Sequence, residues 1–325
     1  MITKLSVSNF KSVRQLDIDC KKVNLFIGEP NTGKSNILEA LAMLSWSGDI
    51  DHNLLDYIRI ELMQDLFYDQ LLEDEIHILL SLSSGESECK LNVRFKDERF
   101  ELINQANAPP FAVMDYEGKG SRTANPKANN IKLFRFKELT KYDDKEAGSL
   151  KPPNGSNLFS VVFSSKVLRD SVEEFFRKYG LKLLMRQKER VFELVKQVDS
   201  QLITYPYVLA SDTLRRIIFY TVAIASNKDS VLVFEEPESN AFPYYTKYLG
   251  ERIALDQTNQ FFIATHNPYL LSAVIEKAKK EDIRVFITYF KDFQTRVKSL
   301  TPDQVAELME ADPFFNMDRF IEEEE

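Results

Sequence analysis

Lys22-Val-Asn-Leu-Phe-Ile27, then Gly28-Glu-Pro-Asn-Thr-Gly-Lys-Ser35, then Asn36-Ile-Leu-Glu-Ala-Leu-Ala-Met-Leu44 is the stretch from which the rest of the chain is read. The first piece is a compact apolar run, the pattern of a buried strand. The last is apolar with helical period. The middle matches GxxxxGK[ST] at Gly28, Gly33, Lys34 and Ser35. A strand, a glycine-bounded loop and a helix together form the context that a phosphate-binding loop requires. Successive backbone N–H groups and the positive end of the helix cradle phosphates there. Lys34 adds a point charge, and the Ser35 hydroxyl ligates Mg²⁺. Asn31 stands mid-loop, where a left-handed backbone is usual and asparagine tolerates it. Only 10 of the 325 residues are glycine, so two glycines at motif spacing carry unusual weight. The alternative, a glycine-bounded turn that merely opens a helix, is disfavoured by the strand before it.

Upstream of the loop, Ile2, Leu5, Val7 and Phe10 partly alternate with polar residues, so the first 27 residues read as strands. Downstream, 54–72 reads as helical, and 77–82 and 90–95 as strands. Residues 106–130 form a loop or hairpin edge, and 131–139 alternate again. This region is expected to be an antiparallel β lobe inserted after the first helix. The charged, Pro/Gly-rich segment 143–157 reads as an internal boundary, which gives two parts. Residues 1–150 would be an N-terminal lobe with the phosphate loop and the inserted segment. Residues 151–325 would be a helical lobe plus a C-terminal lobe. Residues 166–204 read as helix in two pieces broken near Gly180, with an apolar stripe through Val167, Leu168, Ser171, Val172, Phe175, Phe176 and Tyr179 that faces the core. From Leu209 the pattern alternates: helix 213–225, strand 230–234, a helix around 244–256, strand 260–264, helix 268–280 and strand 284–289. Such alternation argues for a mostly parallel sheet covered on both faces. The tail Ile321-Glu-Glu-Glu-Glu325 reads as a solvated acidic end.

Two strand tips complete the candidate site. Ser230-Val-Leu-Val-Phe-Glu-Glu-Pro-Glu238 is an apolar strand ending in paired carboxylates, at the sheet edge where ligands bind. Glu235 is placed to hold the Mg²⁺ shell, and Glu236 to polarise the attacking water as general base. Phe261-Phe-Ile-Ala-Thr265 leads to His266, one of only 3 histidines, and its position favours a role near the γ-phosphate. An acidic loop and a structural histidine are the plainer readings of these residues. The phosphate loop in the same chain disfavours them.

Composition bounds the rest. Hydrophobic residues at 44% and charged residues at 28% describe a globular chain with ample core. Fifty acidic residues against 42 basic give a net charge of −8, which excludes a bulk nucleic-acid coat. Two cysteines without a CxxC exclude an ordinary structural zinc site and read as reduced thiols in a cytoplasmic setting. No signal-peptide pattern or run of membrane-spanning length is apparent.

With these residues assembled, Asn9-Phe-Lys-Ser12, the loop from Ile27 to Leu41, Phe234-Glu-Glu-Pro-Glu238 and Thr265-His-Asn-Pro268 resemble RecF/SMC-type ABC ATPases. More narrowly they resemble compact prokaryotic ATPases grouped with the OLD family and other anti-phage ATPases. The resemblance covers about 1–45 and 205–290. It implies an α/β P-loop NTPase fold: an ABC-ATPase head with an antiparallel β lobe, a helical lobe and a RecA-like, mostly parallel sheet. It also implies a homodimer in which two heads trap two ATP molecules. Each nucleotide would be held by Gly28, Asn31, Thr32, Gly33, Lys34, Ser35 and Asn36 of one copy, with a signature serine from the other. Ser211 in Leu209-Ala-Ser-Asp-Thr-Leu-Arg215 matches that serine. A serine at a helix N-cap also satisfies end N–H groups without any nucleotide, and both readings stay open.

The departures from the family pattern are specific. Asp212 or Thr213 stands where the signature usually has glycine, Glu235 where aspartate is usual, and Pro30 where asparagine is common. Gln64 and Gln105 are the only guesses for the glutamine that normally joins the β lobe to the metal. Slow hydrolysis is the expectation. By resemblance, the chain is read as an ATP-gated dimeric switch acting on a separately encoded toxin or nuclease in anti-phage defence. The 36 residues after Tyr289 are too few for the Toprim nuclease of OLD proteins. The alternatives are a DNA-repair ATPase, with DNA as partner through the modest basic clusters 186–190 and 277–280, and a non-hydrolysing ATP-dependent scaffold. A nucleoside kinase or GTPase is more distant, since neither NKxD nor a lid-type arginine cluster appears.

Overall fold

The chain begins with three strands, β1 (Ile2–Phe10), β2 (Val13–Asp19) and β3 (Val23–Gly28), and the helix α1 (Lys34–Gly48). The computed structural model describes residues 1–325 except 50, 84–87, 106–107, 126–127, 311 and 323–325. Parts of the predicted 106–130 loop and Glu323 to Glu325 of the acidic tail therefore lie outside the described residues. After α1 come β4 (Ile76–Leu82), β5 (Glu88–Lys96), β6 (Arg99–Ile103), β7 (Ala112–Met114), β8 (Gly120–Arg122) and β9 (Ile131–Phe134). Next are α2 (Leu158–Ser164), α3 (Lys166–Arg177), β10 (Lys182–Arg186), β11 (Val191–Val198), β12 (Gln201–Pro206) and α4 (Asp212–Ser226). The chain continues through β13 (Val231–Glu235), α5 (Pro243–Leu255), β14 (Gln260–Ala264), α6 (Pro268–Lys277), β15 (Ile283–Lys291), β16 (Gln294–Ser299), α7 (Pro302–Glu310) and α8 (Met317–Glu322).

Seven strands form an antiparallel sheet in the order β2-β1-β4-β5-β6-β7-β8. This is the β lobe expected from the alternation of its apolar residues. A second sheet runs β16-β15-β3-β14-β13-β9, parallel except for β16. Between the two sheets lies α1. Apolar side chains of both sheets close on it, so Ile37 to Ser47 are all buried. A helix covered on opposite sides needs apolar residues all round rather than one stripe, which explains the run Ile-Leu-Glu-Ala-Leu-Ala-Met-Leu. The other face of the parallel sheet is covered by α2 to α6 in a second core.

Four expectations need correction. Of the expected stripe over 167–179, Leu168, Val172 and Phe176 are buried, whereas Val167 and Tyr179 are exposed, because each lies off the i, i+4 face that meets the core. The predicted helix 54–72 is instead three short 3-10 turns (Leu54–Asp56, Met63–Leu66 and Tyr68–Gln70). Asp65 accepts bonds from the backbone N–H groups of Glu61 and Leu62, and Asp69 is left-handed at φ 51°. Side-chain bonds to the backbone compete with helix propagation. The second helical piece after Gly180 is a three-stranded antiparallel sheet, β10-β11-β12. Phe192 and Leu194 alternate inward there, a period of two that the helix-forming residues around 187–189 obscure. Finally, 131–139 does not belong to the β lobe. Only β9 is strand, and it pairs in parallel with β13 at the edge of the central sheet. Its Phe134 meets Phe219 and Phe234 edge-on.

Segment 143–157 has no helix or strand. It is nonetheless held closely. Leu150 is buried in the second core, and the Asn157 amide donates to the carbonyls of Glu146 and Ser149 at 3.0 and 2.9 Å. Among the described residues no helix is long and apolar enough to cross a membrane.

Candidate functional site

The phosphate loop leaves β3 at the edge of the parallel sheet and turns into α1. Asn31 has φ 62°, the left-handed conformation anticipated for it. Gly33 has φ 95° and caps α1. A Cβ at Gly33 would lie 1.9 Å from the Thr295 hydroxyl oxygen, so a side chain is excluded by both backbone and space. The Thr32 hydroxyl donates to the Glu29 carbonyl at 2.8 Å and pairs with Thr288 at 2.8 Å. Lys34 is buried, and its ammonium donates to the carbonyls of Gly28 (2.8 Å) and Glu29 (2.7 Å). Burial lowers its pKa to about 8, against the pull of Glu236 and Glu29. A buried cation that meets only neutral carbonyls fits a site meant for an anion.

Across the loop, β13 delivers the acidic pair. The Ser35 hydroxyl lies close enough to the Glu235 carboxylate to favour its ionised form, so the two predicted metal-holding groups face the same spot. Together they form a hard donor set suited to a magnesium ion. Glu235 also pairs with Arg59 (3.0 Å) and Arg135 (2.8 Å). Burial alone would raise its pKa. The nearby Ser35 hydroxyl and the two guanidiniums override that and hold it below the ordinary carboxylate value. Arg59 pairs at 2.8 Å with Glu39, a fully buried acid on α1, and Glu39 also accepts from Lys11 in the β1–β2 turn. A chain of charges thus runs from Lys11 through Glu39, Arg59 and Glu235 to Arg135.

Glu236 sits just past the end of β13 with φ 43°. This turn carries its half-exposed carboxylate beside the His266 ring at 3.4 Å. The imidazole pKa lies below its ordinary value, chiefly through burial and then through Lys34, with Glu236 opposing. His266 is therefore neutral near pH 7. Lys34, Ser35, Glu235, Glu236 and His266, read from three separate stretches of sequence, come together here.

Beneath them lies a residue whose role was not read from sequence. One carboxylate oxygen of Glu238 accepts from the Thr265 hydroxyl and from the His266 amide at 3.3 Å, and so holds the tip of β14. The other oxygen is buried with no hydrogen-bond partner among the described residues. Burial pushes this carboxyl up to about 7, despite its bonds to Thr265 and His266. An acid with a raised folded-state pKa destabilises the fold progressively as pH rises from its ordinary 4.5 towards about 7, and by a constant amount above. In Glu238→Gln the melting temperature relative to wild type should accordingly climb across that window and level off beyond it. A scanning-fluorimetry series that gives a pH-independent difference would contradict this.

Ser211 stands apart. It is the N-cap of α4, its hydroxyl accepting from the Leu214 N–H at 3.3 Å, as the capping reading requires. It lies exposed in a cleft with Lys178, Tyr179, Thr213, Phe242 and Tyr244. No hydrogen bond or ion pair among the described residues joins Ser211 to the phosphate loop or the acidic pair. The same holds for Gln64, which bonds Gln70 at 3.4 Å, and for Gln105, exposed beyond β6. Asn36 donates to the Ser12 hydroxyl at 2.7 Å, linking α1 to the Asn9-Phe-Lys-Ser12 turn.

Sequence reading missed Arg59, Arg135 and Glu39. Glu39 had a signal: a lone acid in an otherwise apolar helix must have buried partners. The arginines had none locally.

Comparison with known proteins adds a family and a fold. The family model described as an AAA ATPase domain (AAA_15) matches residues 1–206. No curated protein matches the chain. Among solved structures, an Smc head bound to the C-winged helix domain of ScpA aligns with a TM-score of 0.57 at 13% identity, covering 94% of this chain and 99% of that one. An Smc head with an extended coiled coil, bound to the C-terminal domain of ScpA derived from Pyrococcus furiosus, aligns at 0.53 and 13%, covering 95% and 98%. At such identity the likeness is one of fold: an ABC-type P-loop ATPase head of the SMC kind.

Proposed function

Because the chain belongs to the AAA ATPase domain family (AAA_15) and has an SMC-type head fold, we propose that it binds ATP with Mg²⁺ and hydrolyses it slowly as a homodimeric switch. The observation that carries this is the convergence of Lys34, the Ser35–Glu235 pair and the Glu236–His266 pair at one edge of the parallel sheet.

In this reading the backbone N–H groups of 28–36 and the Lys34 ammonium hold the phosphates. Ser35 and Glu235 would hold the metal, whose chemistry is to neutralise charge developing on the phosphates. Glu236 accepts the proton of the attacking water. His266, neutral and beside Glu236, orients that carboxylate and reaches the terminal phosphate. Glu238 keeps His266 in place. Ser211 and the α4 N-terminus serve the nucleotide of the second copy. Slow turnover follows from two features: Glu235 is engaged by two arginines, and the signature loop lacks glycine. The presence of both Glu236 and His266 favours hydrolysis over a purely structural use of ATP.

The division into 1–150 and 151–325 describes two halves of one catalytic unit. The Smc heads it resembles are bound to ScpA domains. By that likeness we take the effector to be a separate protein chain, and by sequence resemblance a toxin or nuclease of an anti-phage system in the cytoplasm. A DNA-repair role is less well supported. In the basic clusters, Arg186 pairs with Glu193 at 2.8 Å, Arg190 is spent on the Asp144 carbonyl at 2.7 Å, and Lys277 faces Glu251 at 3.9 Å. Sedimentation of Glu236→Gln protein with and without ATP, followed by identification of co-purifying chains, tests the switch. ATP-dependent dimers that retain a protein partner are expected. A monomer in both conditions, or DNA binding that falls steeply with salt, would overturn it.

A further inference from the structure

The strands β15 and β16 are joined by the two-residue turn Asp292-Phe293, closed by the pairing of Lys291 with Gln294. Both turn residues are left-handed, at φ 53° and 60°. Such a turn favours Asn-Gly or Asp-Gly, because the second position accepts a side chain only under strain. Every other non-glycine residue with positive φ among the described residues is polar. The β5–β6 hairpin, with the same turn length, places Asp97 and Glu98 there. A bulky aromatic in this conformation is an outlier. No packing offsets it, since Phe293 is 84% exposed.

The turn is also firmly placed. The Tyr68 hydroxyl donates to the Phe293 carbonyl at 3.2 Å. Two residues on, the Thr295 N–H donates to the Ser12 carbonyl at 2.8 Å, and its hydroxyl bonds the Ser12 hydroxyl at 2.7 Å. Thr295 also fills the space beside Gly33, and Ser12 accepts from Asn36. The turn is therefore braced against both the phosphate loop and the start of α1. In the parallel sheet β15 lies on one side of β3 while β14 and β13 lie on the other. Lys34, Glu236 and His266 gather on the β13–β14 side and mark the terminal-phosphate end. A nucleotide laid along the loop carries its base to the opposite side, where Ser12, Asn36 and Thr295 meet.

We propose that Phe293 is the platform on which the purine ring of the bound nucleoside triphosphate stacks. This rests on the phosphate-site reading above and deepens it. An exposed, braced aromatic ring offers a face to any base, since stacking needs only a π-surface. The strain at Phe293 is then backbone energy held at a binding site.

Titration calorimetry with ATP, GTP and inorganic tripolyphosphate tests the platform on wild type, Phe293→Ala and Phe293→Gly. Both variants should lose about 5- to 150-fold in affinity for ATP and GTP, the range for one base–aromatic stack, and nothing for tripolyphosphate. Phe293→Gly should also melt higher, because glycine relieves the turn. In Phe293→Trp, ATP should quench the new indole while tripolyphosphate should not; the native Trp46 is buried. Wild-type affinity for ATP in Phe293→Gly, with wild type itself binding ATP, would overturn the platform alone. Failure of wild type to bind either ATP or tripolyphosphate would overturn the phosphate site and the platform with it.

Discussion

Lys34→Ala protein is expected to bind ATP about a hundredfold or more weakly and to lose turnover, while melting at or above the wild-type temperature. Each charge-assisted hydrogen bond contributes about 1.5–3 kcal/mol, and the loss of two of them from a triphosphate gives about 3 kcal/mol or more, over a hundredfold. The stability side runs the other way. The folded protein holds Lys34 buried, against loop carbonyls alone, and its lowered pKa means that the environment disfavours the ammonium. Alanine removes that penalty together with the charge. Calorimetry for binding and a thermal scan for stability separate the two effects. If ATP affinity were unchanged, the phosphate loop would not be the nucleotide site.

Glu236→Gln has the second-largest expected effect, on a different quantity. Glutamine keeps the size of the side chain and an oxygen to face His266, but it cannot take a proton. Turnover should fall by about 10²–10⁴, the usual contribution of a positioned general base, while ATP affinity stays within a few-fold. With release of the terminal phosphate blocked, the ATP-bound dimer should accumulate and be visible by sedimentation. Wild-type turnover in this variant would remove Glu236 from the reaction. Equal losses of binding and turnover would instead make it a binding group. The left-handed backbone at Glu236 adds a control, since Glu236→Asp retains the acid and tolerates that conformation but withdraws the carboxylate from His266.

The parts of the site that could be read from the chain are those written in contiguous residues. A phosphate loop needs its glycines, lysine and serine within eight positions, because one turn of backbone and one helix end make the cradle. Glu235, Glu236 and His266 could be read because each stands where an apolar strand stops, and strand ends are visible as the end of an apolar run. The helices and strands from α4 to β15 were likewise legible, their periods being clean. The errors fall where local pattern and tertiary partner disagree. In 54–72 the side chains of Asp56 and Asp65 claim backbone N–H groups. Between Gly180 and Tyr207 helix-forming residues sit in turns of a sheet. The strand β9 alternates like a β-lobe strand yet joins the parallel sheet, because its three apolar residues are all buried and that sheet is covered on both faces.

By itself, the sequence determined that a strand, loop and helix would make a phosphate cradle, and that acids and a histidine would end neighbouring strands. These are demands of short stretches of backbone, met by residues a few positions apart. Only the tertiary structure decided that Arg59 and Arg135, 176 and 100 positions from Glu235, would hold that acid ionised. The same is true of Glu238 bracing His266 and of Thr295, two residues after the strained Phe293, packing beside Gly33. Such pairings depend on which faces of separate elements meet, and that follows from the stacking of two sheets on α1, which no local period records.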